Sequence, residues 1–150
     1  MSVSPEILYA FTNSFQPVKR AWQQAAAFAI ADTGISLAVA TAVLHVSRLG
    51  DGMQQNKLAE SVGVNPGAML RTIDQAEKAG LAERRDVVGN RRVKVIYLLP
   101  DGHALAAKME TALAELRSLL LQDVTEPEIV AATNLIRLFE TRINNYLQQT

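Results

Sequence analysis

A mainly α-helical chain with one small β-hairpin is the fold class this sequence predicts, and three observations predict it. Apolar residues recur every three or four positions over most of the chain. Helix-start signals, a capping side chain followed by proline, stand at Ser4-Pro5 and Asn65-Pro66. Only between Gly80 and Pro100 does the pattern shift to β-branched residues bounded by turn formers. At 150 residues, 49% of them hydrophobic, the chain supports a core without disulfide or metal staples.

The first helix starts at Ser4-Pro5-Glu6 and runs to about Ala31, carrying Tyr9, Phe11, Phe15, Trp22 and Phe28, with Pro17 as its point of kinking or division. Asp32-Thr33-Gly34 breaks the pattern, and a second apolar helix covers Ser36 to Ser47 before the Gly50-Asp51-Gly52 turn. Residues 54–62 form a short helix with Leu58, Ala59 and Val62 on one face. After Gly63-Val64 comes a helix capped by Asn65, with Pro66 in its first position, that stops at Gly80. Its inward set is Leu70 and Ile73, continued by Leu81; Gly67, Ala68, Arg71, Thr72 and Gln75 occupy the opposite face.

Leu81–Val87 and Arg92–Leu99 are strands joined by the loop Val88-Gly89-Asn90-Arg91. Pro100-Asp101-Gly102 ends the second strand, with Asp101 expected to cap the next helix. Leu105, Met109, Leu113, Leu116 and Leu120 give that helix an apolar face. Thr125-Glu126-Pro127-Glu128 fits a capping box, and Ile129, Ala132, Ile136, Phe139, Ile143 and Tyr146 form a near-heptad stripe behind it. Short helix, turn, capped helix and hairpin, in that order, make the layout of a winged helix-turn-helix over residues 36–100.

The formal net charge is zero, which at face value argues against a nucleic-acid binder. Its distribution argues otherwise. Residues 48–97 hold nine basic and six acidic side chains, a net of +3, and the rest of the chain carries −3. Residues 84–94 alone set Arg84, Arg85, Arg91, Arg92 and Lys94 against Asp86. Phosphate contact needs a local positive surface rather than a positive protein. Edge strands also carry Lys and Arg to block aggregation, but directly behind a helix-turn-helix an arginine-tipped hairpin suits a minor groove. Arg71 lies one turn into the capped helix, where such helices meet bases, with Thr72 and Gln75 beside it. The Asn65-Pro66-Gly67-Ala68 end offers backbone N–H groups to phosphate.

Enzyme signatures fail: Gly50-x-Gly52 lacks the third glycine and follows a helix, and no Walker motif is present. With no cysteine and only His45 and His103, no catalytic set, metal site or cofactor is expected. The longest apolar run, Ala25 to Ala31, falls far short of a membrane span, so a cytoplasmic protein is expected.

The runs Leu58-Ala59-Glu60-Ser61-Val62-Gly63-Val64 and Leu70 to Leu81, followed by Arg91-Arg92 and Pro100-Asp101-Gly102, resemble the MarR/SlyA family of bacterial transcriptional regulators. The resemblance covers essentially the whole chain. It implies a homodimer whose terminal helices, 4–31 and 101–150, intertwine, while two winged domains dock on a pseudo-palindromic double-stranded DNA operator. On that mapping the DNA-binding set is Asn65, Pro66, Gly67, Ala68, Arg71, Thr72, Gln75, Arg84, Arg91, Arg92 and Lys94. The family usually has Asp before the wing arginines, where this chain has Asn90, and serine or threonine where it has Gly67 and Ala68. Family members often bind small aromatic effectors beside the dimerisation helices, which directs attention to Phe15, Trp22 and His45. The lack of cysteine sets the chain apart from the family's thiolate-based peroxide sensors. The rival reading, resting on Asn90, Gly67 and Ala68, is an antirepressor-like winged-helix interaction module that does not bind DNA.

Overall fold

The computed structural model describes residues 2–149, and it is mostly helical with one small antiparallel sheet. The chain divides into two compact units, one ending at Leu116 and the other starting at Arg117.

In the first unit, α1 (Pro5–Asn13) is capped by Ser4, whose Oγ accepts from the Ile7 N–H, and α2 (Phe15–Ala29) follows at once. The division expected at Pro17 falls three residues earlier, at Ser14. Pro17 has no N–H to offer the Asn13 carbonyl and its ring crowds that carbonyl, so the first ladder must end upstream. Ser14 closes it, its N–H and its hydroxyl both donating to the Phe11 carbonyl at 3.2 and 2.6 Å. Pro17 is then the third residue of α2, where a helix has no partner for an N–H anyway. A short 3₁₀ turn (Ala31–Thr33) leads to α3 (Leu37–Leu49), capped by Ser36.

The core forms around α3, whose Val39, Ala40, Ala42, Val43, Leu44 and Val46 are buried. Against it pack Leu58 and Ala59 of α4 (Gln55–Val62) and Met69, Ile73 and Ala76 of α5 (Pro66–Lys78). The 69, 73, 76 spacing corrects the expected inward set. Leu70 lies on the flank of α5, 46% exposed, and Met69 fills the place assigned to it.

The sheet has three strands in the order β1 (Met53–Gln54), β3 (Asn90–Leu98), β2 (Ala82–Val87). β1, which the sequence reading missed, pairs Met53 with Ile96 and Gln54 with Val95. The hairpin turn is only Val88-Gly89, Gly89 adopting the positive φ of 82° that favours glycine. Pairing runs regularly from Ala82↔Leu98 to Asp86↔Lys94 and then jumps to Val87↔Asn90. Arg91, Arg92 and Val93 therefore bulge from β3 with no counterpart on β2, a device that bends a strand and re-aims its side chains.

α6 (Pro100–Leu120) begins two residues earlier than expected: the Leu99 carbonyl accepts its first bond, from the His103 N–H, at 3.0 Å. Asp101 is thus inside the first turn and not its cap. Ala106, Met109 and Leu113 bury the face of α6 that completes the core.

In the second unit, α7 (Glu126–Gln148) starts at the expected capping box, the Glu128 carboxylate accepting the Thr125 N–H at 3.3 Å. No residue of α7 is buried, although Ile129, Val130, Leu135, Ile136, Leu138 and Ile143 lie along it. Among the described residues, no single helix is long and apolar enough to cross a membrane.

Candidate nucleic-acid interface

α4, the Gly63-Val64 turn and α5 form a helix-turn-helix, and the β2–β3 hairpin follows it as a wing. The start of α5 is well fixed: Asn65 Oδ1 accepts the Ala68 N–H at 2.8 Å, and Pro66 sets the first helical φ. That start, Asn65-Pro66-Gly67, is exposed, with Ala68 half-buried behind it. Arg71 and Gln75 project from the outward face one and two turns in. Thr72 is half-buried, and its hydroxyl donates to the Ala68 carbonyl at 3.0 Å, which leaves only its lone pairs for another partner.

The wing separates its cations into two groups. Arg91 and Arg92 are exposed at the tip, and among the described residues neither they nor Arg71 enters an ion pair. Asn90 braces this tip in place of an aspartate, its side-chain oxygen accepting the Arg92 N–H at 3.1 Å. Lys94 is held by Asp86 across the hairpin. Arg85 lies over the Tyr97 ring at 3.7 Å, with its Nε donating to Glu83 at 2.7 Å. A shallow open groove lined by Gln55, Asn56, Arg92, Val93 and Lys94 runs between the start of α4 and β3.

Arg84, expected on the outer surface, is turned inward. Its side chain is 19% exposed, and its guanidinium reaches Asp74 at 2.7 Å and Glu77 at 2.8 Å. It also donates to Gln55 Oε1 at 2.8 Å and to the Leu70 carbonyl at 2.9 Å. Asp74, Glu77 and Gln55 were not singled out from the sequence. The readable signal was two acids three residues apart on one helix flank, followed at once by a strand bearing arginine.

Phe15, Trp22 and His45 meet different partners. The Phe15 ring stands edge-on to Phe11 with centroids 5.0 Å apart, and Trp22 packs against the core. His45 Nδ1 is 3.0 Å from Ser61 Oγ, linking α3 to α4; burial foremost, then the charge of Arg48, hold its pKa below the ordinary value. His103 is exposed, its Nε2 3.4 Å from Asp51, whose other oxygen accepts the Leu98 N–H. Among the described residues, no group of three or more His, Asp or Glu side chains is placed to hold a metal ion.

The same architecture recurs in solved regulators. The transcriptional regulator PA3341 is 30% identical, with a TM-score of 0.82 over 90% of this chain and 98% of that one. A MarR transcriptional regulator from Methanosarcina mazei Go1 superposes with a TM-score of 0.77 at 20% identity, over 95% of this chain and 99% of that one. CouR from Rhodococcus jostii RHA1, solved bound to p-coumaroyl-CoA, shares the fold at 16% identity and a TM-score of 0.70, over 82% and 86% of the two chains. The sequence model of the MarR family matches residues 41–94, from α3 to the middle of β3. The helix-turn-helix and wing, the MarR match over residues 41–94 and 30% identity along nearly the full length of a solved transcriptional regulator place this chain in the MarR family of transcriptional regulators.

Proposed function

We propose that the protein is a homodimeric, sequence-specific DNA-binding transcriptional repressor, with residues 36–100 as its DNA-binding region. In this reading α5 enters the major groove, presenting Asn65, Pro66, Gly67, Ala68, Arg71 and Gln75, and the wing tip enters the minor groove. The observation that carries it is the division of the cations. Arg84, Arg85 and Lys94 are neutralised within the protein, whereas Arg71, Arg91 and Arg92 face outward without an ion pair among the described residues. Among the arginines of residues 36–100, those outside ion pairs thus stand at two points, one on the helix and one on the wing.

The helices at 4–31 and 101–150 serve dimerisation in this proposal. Ile7, Leu8, Tyr9 and Val18 near the start, and Leu135, Ile136 and Ile143 near the end, are exposed in the single chain. Apolar surface on that scale marks an interaction site in a soluble protein. Two copies related by a two-fold axis read a pseudo-palindromic operator. A small aromatic ligand relieves binding, with Phe15, Trp22 and His45 as the residues to probe; that CouR was solved with p-coumaroyl-CoA supports a ligand of this kind.

The test begins with selection of duplexes from a random pool by the full chain, followed by titration of the selected duplex at several salt concentrations. Arg91→Ala/Arg92→Ala is expected to weaken binding across sequences and to lower the slope of log K against log salt by about 0.9 for each phosphate no longer neutralised. An unchanged slope removes the wing from the interface. Failure to enrich any duplex favours the interaction-module alternative.

A further inference from the structure

A recognition helix that carries Asp74 and Glu77 brings two negative charges toward a polyanion. Both side chains retain exposure, 49% and 35%, on the flank of α5 next to the wing. Electrostatically they oppose the contact that Arg71 makes from the same helix. The arginine that meets them comes from the first residues of the wing. Arg84 is the third residue of β2, and its backbone N–H also points to Glu77, 3.4 Å from Oε2.

We propose that Arg84 is a positioning residue for DNA binding, masking Asp74 and Glu77 and bracing the wing against the recognition helix. Its guanidinium bonds to two elements at once, to Asp74, Glu77 and the Leu70 carbonyl of α5 and to Gln55 of α4, and so ties both to β2, from which it projects. Four acceptors in one planar fork fix the direction in which the hairpin leaves the helix. The spacing between Arg71 and the Arg91-Arg92 tip follows from that direction. Lysine supplies the charge but not the fork. The inference rests on the DNA-binding reading for its masking role, and on the protein alone for its bracing role.

Two measurements separate these roles. The chain has no cysteine, so Gln75→Cys and Val88→Cys take one spin label on α5 and one at the wing tip. The pulsed-EPR distance distribution between them is expected to be narrow with Arg84 and at least twice as wide with Arg84→Met, melting temperature being followed in parallel. An unchanged width overturns the brace. On the duplex selected by the wild-type protein, Arg84→Met is expected to bind at least tenfold more weakly at low salt. Adding Asp74→Asn and Glu77→Gln to that variant is expected to recover most of the loss, and Arg84→Lys is expected to lose less than Arg84→Met. If the neutral triple variant binds as poorly as Arg84→Met, masking is refuted. If the wild-type chain selects no duplex, masking falls together with the DNA-binding reading, and the label distances still decide the brace.

Discussion

His45 links two helices through a single ring nitrogen. Its Nδ1 meets Ser61 Oγ, and its partial burial near Arg48 disfavours the imidazolium, so its pKa in the folded protein lies below the ordinary 6.5. In the unfolded chain the ring regains that ordinary value and binds a proton more readily. Stability contributed here is therefore complete above about pH 6.5 and is lost as pH falls from there toward the lowered pKa. His45→Gln keeps a polar group in reach of Ser61 but cannot titrate. Melting temperatures of the two proteins between pH 7.5 and pH 5 are expected to diverge, the wild type falling more steeply; parallel curves would assign the acid sensitivity elsewhere. Asn90 shows the same economy at the wing. A neutral amide caps the turn, and it adds no negative charge to the tip.

At the scale of elements, the start of α6 lies close against the backbone of Leu81. A Cβ at Gly102 would stand 2.0 Å from the Leu81 carbonyl oxygen, an atom already fixed by the Leu99 N–H at 2.9 Å. Gly102→Ala must push the start of α6 away from the end of the wing, at a cost of about 1–3 kcal/mol. Chemical denaturation is the measurement, and a loss below about 0.5 kcal/mol, the usual range for surface changes, would show that the junction yields freely. Helix starts were legible in the sequence because a cap followed by proline, or a capping box, is local chemistry: Ser4, Asn65 and Thr125 each begin a helix where expected. The wing was legible through its β-branched run. What local chemistry could not show depends on tertiary partners. β1 is two residues long and exists only because β3 pairs with it. Met69 displaces Leu70 from the core because α3 and α4 approach α5 from that side. Arg84 reads as a surface cation until the fold brings Asp74, Glu77 and Gln55 around it.

At the scale of the whole molecule, apolar surface is spent in two places: a buried core centred on α3, and exposed stripes on the terminal helices. The core explains a folded winged region. In the proposed dimer a second copy covers the stripes, for α7 buries none of its residues in the single chain. Sedimentation equilibrium is expected to give twice the 16.3 kDa of one chain, and Ile136→Lys is expected to shift that mass toward the monomer and weaken operator binding with it. A wild-type mass of one chain at every concentration would count against the dimer. The bulge at Arg91, Arg92 and Val93 has a consequence for how this architecture varies. A β-sheet ordinarily tolerates no change of length, because a slip of one residue turns every side chain to the wrong face. Here the irregularity lies above the Asp86↔Lys94 pair, and the register that buries Ile96 and Leu98 is set entirely below it. Residues can be added or removed at the tip with the core left in phase, so the tip of the wing is free to diversify while its base stays constant.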